Sequence, residues 1–151
     1  MRIALDSSVL IAAHISRAGV CAELLEDLLL HHELVTSEFI LQELRRKLVE
    51  KFHFPKRDAD QVAAFVRRVS VVVVPADLPS DACRDPTDLP VLGTALSGEC
   101  ALLISVDRDL LEVPVPVEVE HVGEPDDRPV VLDRHEQDAG LGGPLLPRRG
   151  G

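Results

Sequence analysis

The stretch Arg2–Ala13, RIALDSSVLIAA, sets the frame in which the rest of the chain is read. RIAL has the composition of a short strand, Asp6 stops it, and from Ser7 onward VLIAAHI continues as an apolar helix. A strand that turns at once into a helix is the opening unit of an α/β sheet. In such sheets ligands collect at the carboxyl ends of the strands, which is where Asp6 falls. Asp6 has a second explanation of equal standing, as the cap of the helix that begins at Ser7.

Outward from this unit the chain keeps alternating. A helix after Gly19 carries Cys21, Leu24, Leu25, Leu28 and Leu29 on one stripe, and Leu34–Thr36 is a brief strand. Ser37 is placed to cap a helix that buries Ile40, Leu41, Leu44 and Leu48, with Glu43 at the margin of that face. Pro55 opens another helix, in which Val62, Phe65, Val66 and Val69 are spaced for burial. The β-branched run Val71–Val74 predicts a strand covered on both faces. Asp85-Pro86 starts a helix ending near Gly98, Ala101–Ser105 is a strand, and Asp107–Leu111 a helical turn. Val115–Val122, interrupted by Pro116, is the last strand. The alternation predicts an α/β protein, a three-layer sandwich with a mostly parallel sheet. Residues 1–123 form its one domain. Residues 124–151 turn acidic and then Pro- and Gly-rich, ending GLGGPLLPRRGG, the composition of a disordered tail.

Composition narrows the function classes. The chain has 151 residues, 46% of them hydrophobic, with four Phe and neither Trp nor Tyr, so its core is aliphatic. The apolar runs are too short to span a bilayer, and the first residues lack the pattern of a signal peptide. Cys21, Cys83 and Cys100 show no CxxC spacing and read as small buried hydrophobes in a reducing cytoplasm. The net charge is −10, an argument against tight non-specific binding to nucleic acid. It fits a basic protein partner, and a local basic surface (Arg45, Arg46, Lys47, Lys51, Lys56, Arg57, Arg67, Arg68) exists beside it.

Four acids, Asp6, Glu43, Asp88 and Asp107, stand at predicted strand ends or in helices next to them. Carboxylates gathered from separate elements need a cation to stay ionised together. Oxygen-only ligands suit Mg²⁺ or Mn²⁺, whose protein sites commonly serve phosphate esters. Each acid has an ordinary structural role as an alternative. Glu43 with Lys47 is a routine i,i+4 helix pair. Asp85 is a good N-cap, and Asp88 in the first turn complements the helix dipole. Asp107 or Asp109 could equally cap a turn. The six histidines form no constellation, no Ser–His–Asp pattern is present, and there is neither a P-loop nor GxGxxG.

LDSSVLIAA near the start, SEFILQEL around Glu43, CRDPTDLPVLGTA and LLISVDRDLL together resemble the PIN domain, in particular its small single-domain toxins of toxin–antitoxin pairs. The resemblance spans residues 2–122 in order and spacing. It implies a five-stranded parallel sheet of order 3-2-1-4-5, with the ends of the first and fourth strands side by side, roughly 5 Å apart. It also implies a Mg²⁺- or Mn²⁺-dependent ribonuclease acting on single-stranded RNA, with a cognate antitoxin and a homodimer as partners, in the cytoplasm and away from any membrane. Asp6, Glu43, Asp88 and Asp107 match the family's catalytic and metal-binding acids; Ser7 and Ser105 match small hydroxyl positions that support them. Asp109 is an accessory acid, and Arg45, Arg46 and Lys47 are candidates for holding the RNA backbone. The sequence departs from the family at Ser8, where Asn is frequent, and at Leu89, where a further Asp or Asn is common. Those departures keep a second reading in play, a catalytically weak or inactive PIN-fold module for nucleic-acid binding or interaction.

Overall fold

The computed structural model describes residues 1–16, 19–82 and 85–105 and the backbone of 118–121. Strand β1 (Arg2–Leu5) leads into helices α1 (Ser7–Ile15) and α2 (Val20–His31), followed by β2 (Glu33–Thr36). Helices α3 (Glu38–Glu50) and α4 (Lys56–Val69) precede β3 (Ser70–Val72). A 3₁₀ turn (Pro86–Asp88) runs into α5 (Leu89–Ser97), and β4 (Leu102–Ser105) and β5 (Glu118–His121) complete the sheet. All four strand pairs are parallel, in the order β3-β2-β1-β4-β5.

Parallel strands must be joined by crossovers, and the helices that make them cover the sheet. In β1 the consecutive residues Ile3, Ala4 and Leu5 are all buried, as is every residue of β4. Successive side chains on a strand point to opposite faces, so both faces of the central strands are covered and the sheet is the middle layer. Helix α5 packs on β1, β2 and β4, while α1 packs against α2 and α3, and α3 against α4. The core is aliphatic, with Ile3, Leu5, Leu10, Ile40, Leu41, Leu44, Leu48, Leu92, Leu103 and Ile104 fully enclosed.

Two local expectations change in the folded chain. The Val71–Val74 run does not form a doubly covered strand: β3 stops at Val72, lies at the sheet edge, and leaves Val72 and Val74 exposed. An edge strand has one hydrogen-bonded neighbour and less cover, whatever its side-chain composition. In α4 the buried stripe runs through Ala59, Ala63 and Val66, with Val62 and Phe65 only partly covered. Of the strand expected at 115–122, Glu118–His121 is described and forms β5, and the remaining positions lie outside the described residues. The helical turn expected at 107–111 and the tail expected at 124–151 lie outside the described residues.

Among the described glycines, Gly93 leaves the least room for a side chain. A Cβ there would sit 2.3 Å from the carbonyl oxygen of Ala76, and the Ala76 N–H already donates to the Gly93 carbonyl at 3.0 Å. The obstacle is backbone, which cannot rotate away. Gly93→Ala should therefore lower stability by about 1–3 kcal/mol despite the better helix propensity of Ala. Urea unfolding checks this, and an unchanged midpoint would contradict the packing.

Cys21 and Cys100 are free and buried, and burial pushes both thiols up, Cys100 to about 12. Thiolate is the reactive form. In a Cys83→Ser protein at pH 8, both remaining thiols should react with Ellman's reagent only after denaturant is added. Rapid native-state reaction would contradict the burial.

Candidate active site

Pairing of β1 with β4 sets the first acid in place. Leu5 is opposite Ile104, and the next N–H, that of Asp6, donates to the Ile104 carbonyl at 3.0 Å. Asp6 thus comes off the sheet beside Ser105, with only 5% of its surface exposed. A carboxylate so enclosed needs hydrogen bonds to replace its water. Ser105 Oγ donates to Oδ2 at 2.6 Å; the Ser8 N–H at 3.2 Å and Ser7 Oγ at 3.3 Å face Oδ1. The Ser8 bond is the N-cap of α1, so the capping role and the site role fall on one residue.

Helix α3 delivers the second acid. Its start is fixed by Ser37, whose Oγ accepts from the Ile40 N–H at 3.4 Å and lies 2.8 Å from Thr94 Oγ1 of α5, which itself donates to the Pro90 carbonyl. One turn further, Glu43 faces Ser7: Ser7 Oγ donates to Glu43 Oε1 at 2.6 Å. Ser7 is completely buried, and its single hydroxyl proton lies between two carboxylates from distant parts of the chain. The shorter distance assigns that proton to Glu43. The i,i+4 ion pair also forms, with Lys47 Nζ 3.1 Å from Glu43 Oε1, but it faces inward rather than into solvent.

The third acid comes from the segment after β3. Asp85 accepts from Thr87 N–H at 3.0 Å and from Thr87 Oγ1 at 2.8 Å, caps the 3₁₀ turn, and is held below the usual carboxylate range by the backbone bond first and the hydroxyl bond second. Asp88 ends that turn, with Oδ2 withdrawn from solvent.

Asp6, Glu43, Asp85 and Asp88 all line one cavity of about 560 Å³, together with Ser8, Phe39, Gln42, Arg46, Lys47 and Thr87. Among the described residues no three His, Cys, Asp or Glu side chains are grouped closely enough to hold a metal ion by themselves. Asp107 and Asp109 lie outside the described residues; Asp107 follows Ser105 by two positions, beyond the end of β4.

The basic candidates separate. Arg46 and Lys47 line the cavity, whereas Arg45 pairs with Asp60 of α4 and is not among the lining residues. Arg67 is engaged by Glu38, whose carboxyl it holds below the usual range through their hydrogen bonds. Arg46 reaches Glu50 at 3.3 Å, but both are more than half exposed, and such pairs are worth little. Gln42, Phe39 and Thr87 were not singled out in the sequence. Residues 39, 42, 43, 46 and 47 lie on one stripe of a 3.6-residue helix, so Glu43 and helical spacing suffice to find the α3 wall. Thr87 carried no comparable signal.

A sheet whose central strand ends on a buried acid, facing acids from a helix and a turn, defines the class, and comparison with known proteins agrees. The PIN domain family model matches residues 2–109, and the chain belongs to that family, whose members are in general nucleases. Comparison with the curated proteins gives no match. Among solved structures the fold is similar to the crystal structure of VapBC2 from Rickettsia felis bound to a DNA fragment from their promoter. The TM-score is 0.60 at 13% identity, covering 81% of this chain and 99% of that one, a likeness of fold.

Ser7 is the bridge of the site, and its removal is a direct test of the geometry. Ser7→Ala should cost about 1.5–3 kcal/mol in urea unfolding at neutral pH, the range for a hydrogen bond to a charged group. Arg45→Ala, which breaks an exposed pair, should cost under about 1 kcal/mol. Equal losses for both would contradict the bridging role.

Proposed function

We propose that this protein is a Mg²⁺- or Mn²⁺-dependent endoribonuclease that hydrolyses single-stranded RNA, the toxin component of a toxin–antitoxin pair acting in the cytoplasm. The observation that carries this reading is the enclosure of Asp6, with both carboxylate oxygens held by donors at the mouth of a cavity that Glu43 and Asp88 also line. With the Ser7 proton on Glu43, the two remaining donors, Ser105 Oγ and the Ser8 N–H, leave acceptor capacity on Asp6, since a carboxylate offers about four lone-pair sites. The donor set is oxygen throughout, which fits a hard cation better than zinc or copper.

Asp6, Asp88 and Asp107 would hold the ion, with Glu43 completing the set and Asp109 as an accessory acid. When bound, a divalent ion supplies positive charge against the phosphoryl oxygens and acidifies water for in-line attack. The protein's own residues position and select. Ser105 and the Ser8 N–H fix the orientation of Asp6, and Ser7, next to it in the chain, holds Glu43 at the site. Arg46, on the cavity wall with a weak surface partner, contacts the RNA backbone, and Gln42 beside it offers an amide to a phosphate or base edge. The overall acidity keeps non-specific affinity for nucleic acid low.

Kinship of fold with the VapBC2 assembly supports an antitoxin partner, and a second copy of the chain is a further partner the family resemblance implies. Ser8 in place of Asn and Leu89 in place of Asp or Asn favour a second reading, a nucleic-acid-binding or interaction module that retains the fold with little catalysis.

The test is RNA cleavage by highly purified protein. Cleavage should require Mg²⁺ or Mn²⁺, stop with EDTA, and fall by more than about 100-fold in Asp6→Asn. Losing even an outer-shell partner of a metal ligand typically costs 10–100-fold. Undiminished cleavage by Asp6→Asn would refute the assignment, and a folded wild type with no cleavage and no saturable Mn²⁺ heat would favour the module.

A further inference from the structure

We propose that Lys47 is a counter-ion built into the site, which holds the Glu43 carboxylate against Ser7 and competes with a divalent cation for it. The proposal rests on the metal-dependent reading above and adds a regulating residue to it.

Lys47 Nζ lies 3.1 Å from Glu43 Oε1 and 3.4 Å from Ser7 Oγ, so it contacts α1 as well as its own helix. The same Oε1 accepts the Ser7 hydroxyl at 2.6 Å. A carboxylate oxygen has two lone pairs, and these two donors use both. A cation that takes Glu43 through this oxygen must displace one of them, and the ammonium is the one that also repels it.

The pair is not an incidental surface contact. Side-chain exposure is 25% for Lys47 and 15% for Glu43, against 59% and 62% for Arg46 and Glu50 on the same helix. Solvent and salt therefore screen it less. The stem of Lys47 is also confined. Lys47 walls the acid cavity on one side and, on the other, an apolar groove shared with Ile11, Ala12, Ile15 and Phe52. A lysine lays its methylenes on such a surface and extends its charged head beyond it; here the head turns to the acids.

Calorimetric titration of the full chain with Mn²⁺, at fixed ionic strength, tests this. Lys47→Met keeps most of the stem and removes the charge, and it should bind Mn²⁺ about tenfold more tightly, a change of about 1.4 kcal/mol. Lys47→Arg should restore wild-type affinity, and the gain should vanish when Lys47→Met is combined with Glu43→Gln, as a coupled pair requires. If circular dichroism shows Lys47→Met to be misfolded, Lys47→Gln is read on the same scale. Wild-type binding with equal or weaker affinity in the charge-removed variant overturns the proposal and leaves the metal site standing. Absence of saturable binding in wild type and variant alike overturns both.

Discussion

The parallel pairing of β1 with β4 is the constraint on which the rest of the site depends. It places Leu5 opposite Ile104, carries the Asp6 N–H onto the Ile104 carbonyl, and so brings the Ser105 hydroxyl to Asp6 Oδ2 at 2.6 Å. Burying a carboxylate without such donors costs several kcal/mol, and the chain meets that cost with the Ser105 hydroxyl and a helix N-cap. A register slip of one residue would turn the strand's side chains to the opposite faces and dismantle the arrangement. The fold and the acid site are thus one construction. The aliphatic strands that make the core also end where the charge has to be.

Helix α3 links that sheet edge to the cavity. Its buried stripe of Ile40, Leu41, Leu44 and Leu48 fixes its rotation, and Ser37, braced by Thr94, fixes where it starts. With those two settings Glu43 reaches Ser7 across 36 residues of sequence. Lys47 follows one turn later, and its inward orientation gives an acidic protein a positive group inside its own acid cluster. Two of the other basic residues suggested by composition as a nucleic-acid surface are answered locally: Arg45 by Asp60 and Arg67 by Glu38. Arg46 stays on the cavity wall with an exposed, weakly held partner.

Much of this was legible in the chain, and the failures have physical causes. Strand ends at Asp6 and Ser105, the caps at Ser37 and Asp85, and the α3 stripe are local patterns, and they survive folding unchanged. The Val71–Val74 run misled because cover depends on a strand's place in the sheet, which a run of β-branched residues does not encode. In α4 the most buried positions include Ala59 and Ala63, small residues that a reading weighted to large apolar side chains passes over. The hydroxyl bridge of Ser7 is tertiary. No spacing rule connects residue 7 to residue 43, although both are visible as candidates. Thr87 gave no signal because its partner, Asp85, already had a sufficient local role as a cap.

The central proposal is that Asp6, Glu43 and Asp88 join Asp107 around one hard cation. Anomalous diffraction from crystals grown with saturating Mn²⁺ tests it most directly. The account predicts a manganese peak roughly 2 Å from an Asp6 carboxylate oxygen, inside the cavity shared with Glu43 and Asp88. An ordered Asp6 with no peak beside it, or a peak bound only elsewhere on the molecule, would contradict it.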